Sequence, residues 1–420
     1  MAKLTLHKQT LANMNEICAW FSAKTQNLSV PIYSSYDVRD SGYKISNVDA
    51  NIFPAGFNNI CPTDKETSVG LMNKYITKHY GADVKNVLLV TEEHTNNAFY
   101  WENVYTIKNL IEASDRVVKV AIPRELPEPM KLTSVAGNEV TVHSALVNGE
   151  LFKTFKPDLI ISNNDFSEAY EEWAGTVTEY SMNPPRELGW YQRKKSTYFK
   201  YYNQLVNEFA AITKIDPFLL RVETELFENF DIADENSRNA LAARVDAMLE
   251  HLRGEYKKRG ITQEPFVFVK NNAGTYGLAV IRVGSGEEVK TWSYKSRKKM
   301  KAAKGGRDVE EVIIQEGIPS IVQADGSSAE PVIYMIGCEL AGGFLRTHAE
   351  KSAEESLNSP GAVFKRLCVS DLAINTPGCP QENVYGWTAK LGLLAIAHEA
   401  QEMGAVFKGY KPVGCNKMTT

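Results

Sequence analysis

Between Phe266 and Val283 the chain reads Phe-Val-Phe-Val-Lys270-Asn-Asn-Ala-Gly274-Thr-Tyr-Gly277-Leu-Ala-Val-Ile-Arg-Val. Two short runs of β-branched and aromatic residues flank a turn with two glycines, a pattern that suits a β-hairpin and not a helix. The glycines allow positive φ and let backbone N–H groups approach a ligand, while Lys270, at the end of the first strand, offers a point charge suited to phosphate. The same residues would also make a plain hairpin with a solvated lysine, so the loop alone leaves both readings open.

At 420 residues the chain can build roughly two or three domains, or one large one, around an ample core. Hydrophobic residues make up 43% and charged residues 23%, the balance of an ordinary globular protein. A net charge of -4 gives no overall attraction to nucleic acid or to an anionic membrane, so small molecules are the expected partners. No apolar run is long enough to span a bilayer, and no charged-then-apolar leader follows Met1-Ala2-Lys3. A cytoplasmic location is therefore expected.

Cys18, Cys61, Cys338, Cys368, Cys379 and Cys415 are scattered without a Cys-x-x-Cys pair, which predicts reduced thiols rather than a zinc site or a disulfide framework. The histidines lack a His-Glu-x-x-His spacing, so any metal should be a hard ion bound through oxygen beside a nucleotide. Oligomeric state is not legible.

Along the chain, Leu11, Met14, Cys18 and Phe21 recur at helical spacing, as do Val69, Met72, Ile76 and His79 in a helix that stops near Gly81. Between them lies a polar stretch without clear period. It holds Arg39, Lys44, Asp49, Asn51, Asn58 and Asn59. Such a loop is either a surface connection or a binding loop, and its mixture of Arg, Lys, Asp and Asn suits the charged ends of an amino acid. A βαβ-like pattern follows, with strands at Asn86–Thr91, Val117–Ile122 and 158–162 and a helix from Trp101 to Ala113. Polar clusters at Glu92 to Asn97 and Asn163 to Ser167 sit at strand carboxyl ends, where open α/β sheets bind ligands, although Asn and Asp also simply make turns.

Asn183-Pro-Pro-Arg186 to Ser196 reads as a boundary. Ser196 is expected to cap a helix burying Tyr198, Tyr202, Leu205, Val206 and Phe209. Arg193, Lys194 and Lys195 at that helix start oppose its macrodipole, which suits a phosphate or carboxylate ligand or else a solvated basic end. A further helix from Leu241 to Tyr256 leads to the hairpin. Beyond it, the basic run at 295–307 fits a solvated face or a lid over triphosphate.

Val312-Ile-Ile-Gln315-Glu316-Gly-Ile318 resembles the strand and hinge that hold adenine in ATP-grasp ligases, and Gly342-Gly-Phe-Leu-Arg346 with Leu357-Asn358 resembles their phosphate-contacting arginine and metal-contacting asparagine. Asp49 to Asn59, Gly189 to Ser196, Phe268 to Gly277 and Leu357 to Ala362 together resemble the proteobacterial type of glutamate–cysteine ligase over nearly the full length. The resemblance implies an α/β fold, α+β in part: a pre-ATP-grasp-like α/β domain over 1–185 carrying the substrate loops, then an ATP-grasp domain over 186–420. In the second, a helical part would cover about 190–260, the nucleotide-binding sheet about 264–370, and a C-terminal helix about 386–403.

It further implies ATP and Mg2+ as cofactors. Lys195 and Lys270, with the backbone of Gly274, Thr275, Tyr276 and Gly277, would hold the phosphates; Gln315, Glu316 and Ile318 would hold adenine; Arg346 and Lys270 would stabilise phosphoryl transfer. ATP-grasp ligases carry a Glu-x-Asn metal pair, and Glu355-Ser-Leu-Asn358 is one residue longer, so the carboxylate beside Asn358 is Glu355, Glu339 or Glu350. The implied reaction joins the γ-carboxylate of glutamate to the amine of cysteine through an acyl phosphate, the first step of glutathione biosynthesis. Another carboxylate–amine ligase, such as a glutathione synthetase-like enzyme, and a non-catalytic ATP- or amino-acid-binding regulator are the alternatives.

Overall fold

The computed structural model describes residues 2–94, 96–274, 279–300, 309–376 and 379–415. The chain opens with helices Ala2–Ala12 and Met14–Thr25, then forms the antiparallel hairpin of β1 (Tyr33–Asp40) and β2 (Ile45–Asn51). These strands lie in the polar stretch that shows no period in the sequence. The reason is visible in β1: Tyr36 and Val38 point into the apolar core, yet the alternating Asp37 and Arg39 are also buried. A strand covered on both faces, one of them by polar partners, lacks the usual alternation of apolar and solvated residues.

After helix Pro62–His79 the chain winds a second sheet. Its strands are β3 (Asn86–Thr91), β4 (Val117–Ile122), β5 (Met130–Thr133), β6 (Glu139–Ser144), β7 (Leu159–Asn163) and β8 (Met182–Asn183), in the order β5-β6-β4-β3-β7-β8. β3 runs parallel to both β4 and β7. Val87, Leu88, Leu89 and Val90 are fully buried, as near-continuous apolar runs are in parallel sheets covered on both faces. Helix Ala98–Glu112 makes the first crossover, its start capped by Asn97, which accepts from the Tyr100 N–H.

Helix Lys195–Thr213 buries Tyr198, Tyr202, Leu205, Val206 and Phe209, as the spacing predicts. Ser196 does not cap it. Instead Asn272, from the hairpin turn, accepts the Ser196 N–H on its side chain at 2.9 Å and the Lys195 N–H on its carbonyl at 2.8 Å. A third, antiparallel sheet holds β9 (Thr224–Phe227), β10 (Val267–Asn271), β11 (Val280–Val283) and β12 (Val312–Glu316), ordered β11-β10-β12-β9. Helix Glu235–Lys258 covers it through a separate core that includes Val245, Leu249, Leu252, Val267 and Ile314.

β13 (Gln323–Ala324), β14 (Ser327–Ile336), β15 (Glu339–Thr347) and β16 (Val363–Leu367) then return to the first hairpin. β14 pairs with β1, giving the order β16-β15-β14-β1-β2, so residues from both ends of the chain share one sheet. Helix Val384–Glu402, buried along most of its length, packs between this sheet and helix Lys195–Thr213. The mixed α/β class expected from the sequence is the observed one. One expectation is corrected: Cys338 and Cys415 form a disulfide that ties the start of β15 to the tail, while Cys18, Cys61 and Cys368 are not in a disulfide. Among the described residues no helix is long and apolar enough to cross a membrane.

Candidate active site

A cleft of ≈ 610 Å³ lies where the β1–β2 hairpin and β14 face the antiparallel sheet of β10, β11 and β12. Asp37, Arg39 and Asp49 enter from the first hairpin, Lys195 from the start of its helix, and Lys270, Gln315, Glu316 and Ile318 from the opposite sheet. Glu330 comes from β14, while Ser356 and Asn358 belong to the loop after β15. Gly274, Phe268, Val48 and Val280 complete the wall.

Lys270 is buried and donates to Gln315 Oε1 at 2.5 Å and to the Val48 carbonyl at 3.2 Å. Burial, only partly offset by Asp49 and reinforced by the neighbouring cations Lys195 and Arg39, lowers its pKa to about 8. Lys195 pairs with Asp49, and its ammonium lies 4.7 Å from the Trp190 ring centroid. Burial pushes the Asp49 carboxyl up, but Lys195 and Lys270 together bring it below the usual carboxylate value. Gln315 spends its oxygen on Lys270, and its buried Nε2 has no partner among the described residues. An unsatisfied buried donor on a cleft wall suits a ligand with a nitrogen or oxygen acceptor.

Beside this group, Arg346 Nη1 donates to Asp37 Oδ2 at 2.7 Å and to Glu330 Oε1 at 2.8 Å, and Arg39 Nε pairs with Glu330 Oε2 at 2.5 Å. All four side chains are buried, so each guanidinium is neutralised by the carboxylates it orients. Strand register explains the contact, because Glu330 lies directly across from Arg346 in the β14–β15 pair. Burial raises the Asp37 carboxyl despite Arg346, with Glu330 adding repulsion, whereas the two arginines outweigh burial at Glu330 and hold it low. Arg39 also donates to the carbonyls of Ala353 and Glu355, at 3.0 and 2.8 Å, and so fixes the loop that carries Asn358. Asp37, Glu330 and Asn358 are oxygen donors on one cleft, the ligand type of a hard divalent ion. A further cation would also relieve the raised Asp37 carboxyl.

The three cations at the helix start each meet a carboxylate. Arg193 reaches Glu399 through Nε at 3.0 and 3.1 Å, Lys194 reaches Glu311 at 2.7 Å, and Lys195 takes Asp49. Arg193 and Glu399 are fully buried, and Arg193 also donates to the Ala50 carbonyl at 2.7 Å. The helix start is thus anchored to β2 and to helix Val384–Glu402, which places Lys195 at the cleft.

Of the residues singled out from the sequence, Arg39, Asp49, Lys195, Lys270, Gly274, Gln315, Glu316, Ile318 and Asn358 line the cleft, and Arg346 stands behind Asp37 and Glu330. Lys44 does not line it. Its ammonium lies 2.7 Å from both oxygens of Glu316 in a buried pair. Asn51 ends β2 opposite Ser35, and Asn58 bonds to Asn59 in a short 3-10 turn outside the cleft. Glu339 is paired with Lys74 at the surface. The Glu355 carboxylate accepts from Lys351 at 3.0 Å and from the Ser352 N–H at 2.9 Å, and the Glu350 N–H donates to His348. Thr275, Tyr276 and Gly277 lie outside the described residues, as does the basic run from residue 301 onward. Sequence reasoning missed Asp37 and Glu330. The available signal was Asp37 alternating with Arg39, two opposite charges on one face of a candidate strand.

A model of the glutamate–cysteine ligase family matches residues 7–400. Among solved structures, one from Methylobacillus flagellatus KT, assigned as a gamma-glutamylcysteine synthetase, is similar with a TM-score of 0.84 and 33% identity, covering 95% of this chain and 96% of that one. The D-cycloserine synthetase DcsG is more distant, at 11% identity and a TM-score of 0.35 over 76% of this chain and 82% of its own. No curated protein matches the chain. The family match over nearly the whole chain, and the one-third identity to a structure of matching extent, lead to a single conclusion: this chain belongs to the glutamate–cysteine ligase family.

Proposed function

We propose that the cleft joins glutamate to cysteine at the expense of ATP, through a γ-glutamyl phosphate, with Lys270 and Lys195 binding the nucleotide phosphates. Glutamate–cysteine ligation is the reaction of the family. The observation that carries the rest is the set of charges on one cleft, with the buried Lys270, Lys195 and Arg39 facing the buried Asp37 and Glu330 and the half-buried Asp49.

A carboxylate is a poor acyl donor because its leaving group would be oxide. Attack of the glutamate γ-carboxylate on the terminal phosphorus of ATP expels ADP and gives an acyl phosphate. The cysteine amine then attacks that carbonyl carbon, phosphate leaves with the C–O bond electrons, and the new amide nitrogen loses a proton. Neither step requires a protein nucleophile. The protein positions the partners and offsets charge in a site where little water competes.

Lys270, poised near pH 8 by burial, gains a full charge when an anion binds beside it, so phosphate binding and its protonation reinforce each other. Lys195 can exchange Asp49 for phosphate, which frees Asp49 to pair with a substrate ammonium. Gln315 Nε2 supplies a donor for the nucleotide base. Mg2+ held by Asp37, Glu330 and Asn358 would neutralise charge on the phosphate oxygens. Arg346 orients the two carboxylates of that set.

The test is phosphate release from ATP and Mg2+ by the purified protein, with glutamate and cysteine added singly and together, then with γ-glutamylcysteine plus glycine. The reading expects release that needs glutamate and cysteine together, with γ-glutamylcysteine seen by mass. Release only with γ-glutamylcysteine plus glycine, or none with any pair, would overturn it.

A further inference from the structure

Away from the cleft, Cys61, Asp64 and Cys368 converge so that their sulfur and carboxylate atoms all lie within 4.8 Å of one another, and all three residues are buried. They come from distant parts of the chain. Cys61 precedes helix Pro62–His79 and Asp64 lies in its first turn, while Cys368 follows β16. The ligands are held by their surroundings: the Val369 N–H donates to Asp64 Oδ2 at 2.9 Å, and the Cys368 N–H donates to Asp371 Oδ2 at 2.9 Å. Arg366 Nε donates to Cys368 Sγ at 2.8 Å.

We infer that Cys61, Asp64 and Cys368 form a binding site for a thiophilic divalent cation of the zinc type, separate from the ligase cleft. Two thiolates and a carboxylate are the ligand chemistry of tetrahedral zinc, with a fourth position open to water. The charges support it. Two thiolates and one carboxylate carry three negative charges, and with Asp371 beside the Cys368 N–H the cluster stays anionic next to the single Arg366 guanidinium until a divalent ion enters. Without the ion the same three acidic groups stay buried together. Ion binding would displace the two thiol protons and clamp the start of helix Pro62–His79 to the exit of β16. That strand pairs with β15, which carries Arg346, so the clamp braces the sheet behind the active site.

Cobalt titration of the reduced full-length protein tests this directly, because cobalt reports thiolate ligation through charge-transfer absorption that oxygen sites lack. The expected result is one equivalent bound with thiolate charge transfer, displaced by zinc. Cys61→Ser and Cys368→Ser should each reduce that band to half or less, the double variant should abolish it, and Asp64→Asn should weaken binding on the order of tenfold or more. Cys18→Ser, at a half-buried thiol far from the cluster in sequence, should leave it intact, and circular dichroism of each variant separates lost ligation from lost folding. No charge transfer in the folded wild type, or a band unchanged in folded Cys61→Ser and Cys368→Ser, would overturn the inference.

Discussion

Replacing Lys270 by methionine should leave a protein that is slightly more stable and nearly inactive. The change keeps an unbranched side chain one atom shorter and removes a buried cation. Its fall from 10.5 to about 8 means that holding the ammonium charged at neutral pH costs the fold about 3 kcal/mol. Methionine relieves that cost but leaves Gln315 Oε1 and the Val48 carbonyl without their donor, which returns about 1 kcal/mol each. The balance is a gain of about 1 kcal/mol at pH 7. The sign with pH follows: between about pH 8 and 10.5 the unfolded wild-type chain binds the proton and the folded one does not. Wild-type stability therefore rises across that window and overtakes the variant, and below pH 8 the full cost is present. Over the same substitution, loss of a charge-stabilising group should reduce turnover by about two to three orders of magnitude, or about 3–4 kcal/mol of transition-state stabilisation. Urea unfolding at pH 7 and pH 10, with phosphate release at pH 7, reads both effects. Undiminished turnover, or a loss of several kcal/mol of stability at pH 7, would refute the reasoning.

The wild-type kcat/KM for ATP should fall above about pH 8 as Lys270 loses its proton in the free enzyme; Lys270→Arg, whatever its activity, should lack that limb in a pH–rate profile. Glu399→Leu strands the buried Arg193 and should cost about 3–5 kcal/mol in chemical denaturation, most of it recovered when Arg193→Met is added. Asp37→Asn should lower kcat by about two orders of magnitude and raise the Mg2+ needed for half-maximal rate. Glu339→Gln, which breaks only a surface pair with Lys74, should leave both unchanged. A magnesium titration of the two variants side by side checks the contrast.

The sequence was most readable where burial and residue type agree. Val87 to Val90 and Leu159 to Ile161 are apolar and buried, and they announce parallel strands. The hairpin of β10 and β11 forms with Lys270 near the end of its first strand, as the two β-rich runs and their glycine turn require. The first hairpin was not readable because many of its buried residues are polar or charged, among them Ser34, Ser35, Asp37, Arg39, Asp40 and Asn47. Asp37 and Arg39 can be inside only because Glu330 and Arg346 arrive from strands almost three hundred residues later, and no local period encodes that. For the same reason the sequence pointed to carboxylates near Asn358 in the chain, whereas the carboxylates that line the cleft with it are Asp37, Asp49, Glu316 and Glu330. Lys44 fails differently: its charge type fits a substrate carboxylate, but Glu316 is already there.

Activation of glutamate as a γ-glutamyl phosphate at the Lys270 cleft has a distinctive isotopic signature. Glutamate labelled with a heavy oxygen isotope in its γ-carboxylate tests it in a single turnover with ATP, Mg2+ and cysteine. One labelled oxygen should pass to inorganic phosphate for each γ-glutamylcysteine formed, with ADP as the other product. Unlabelled phosphate, or label recovered in AMP, would contradict the account.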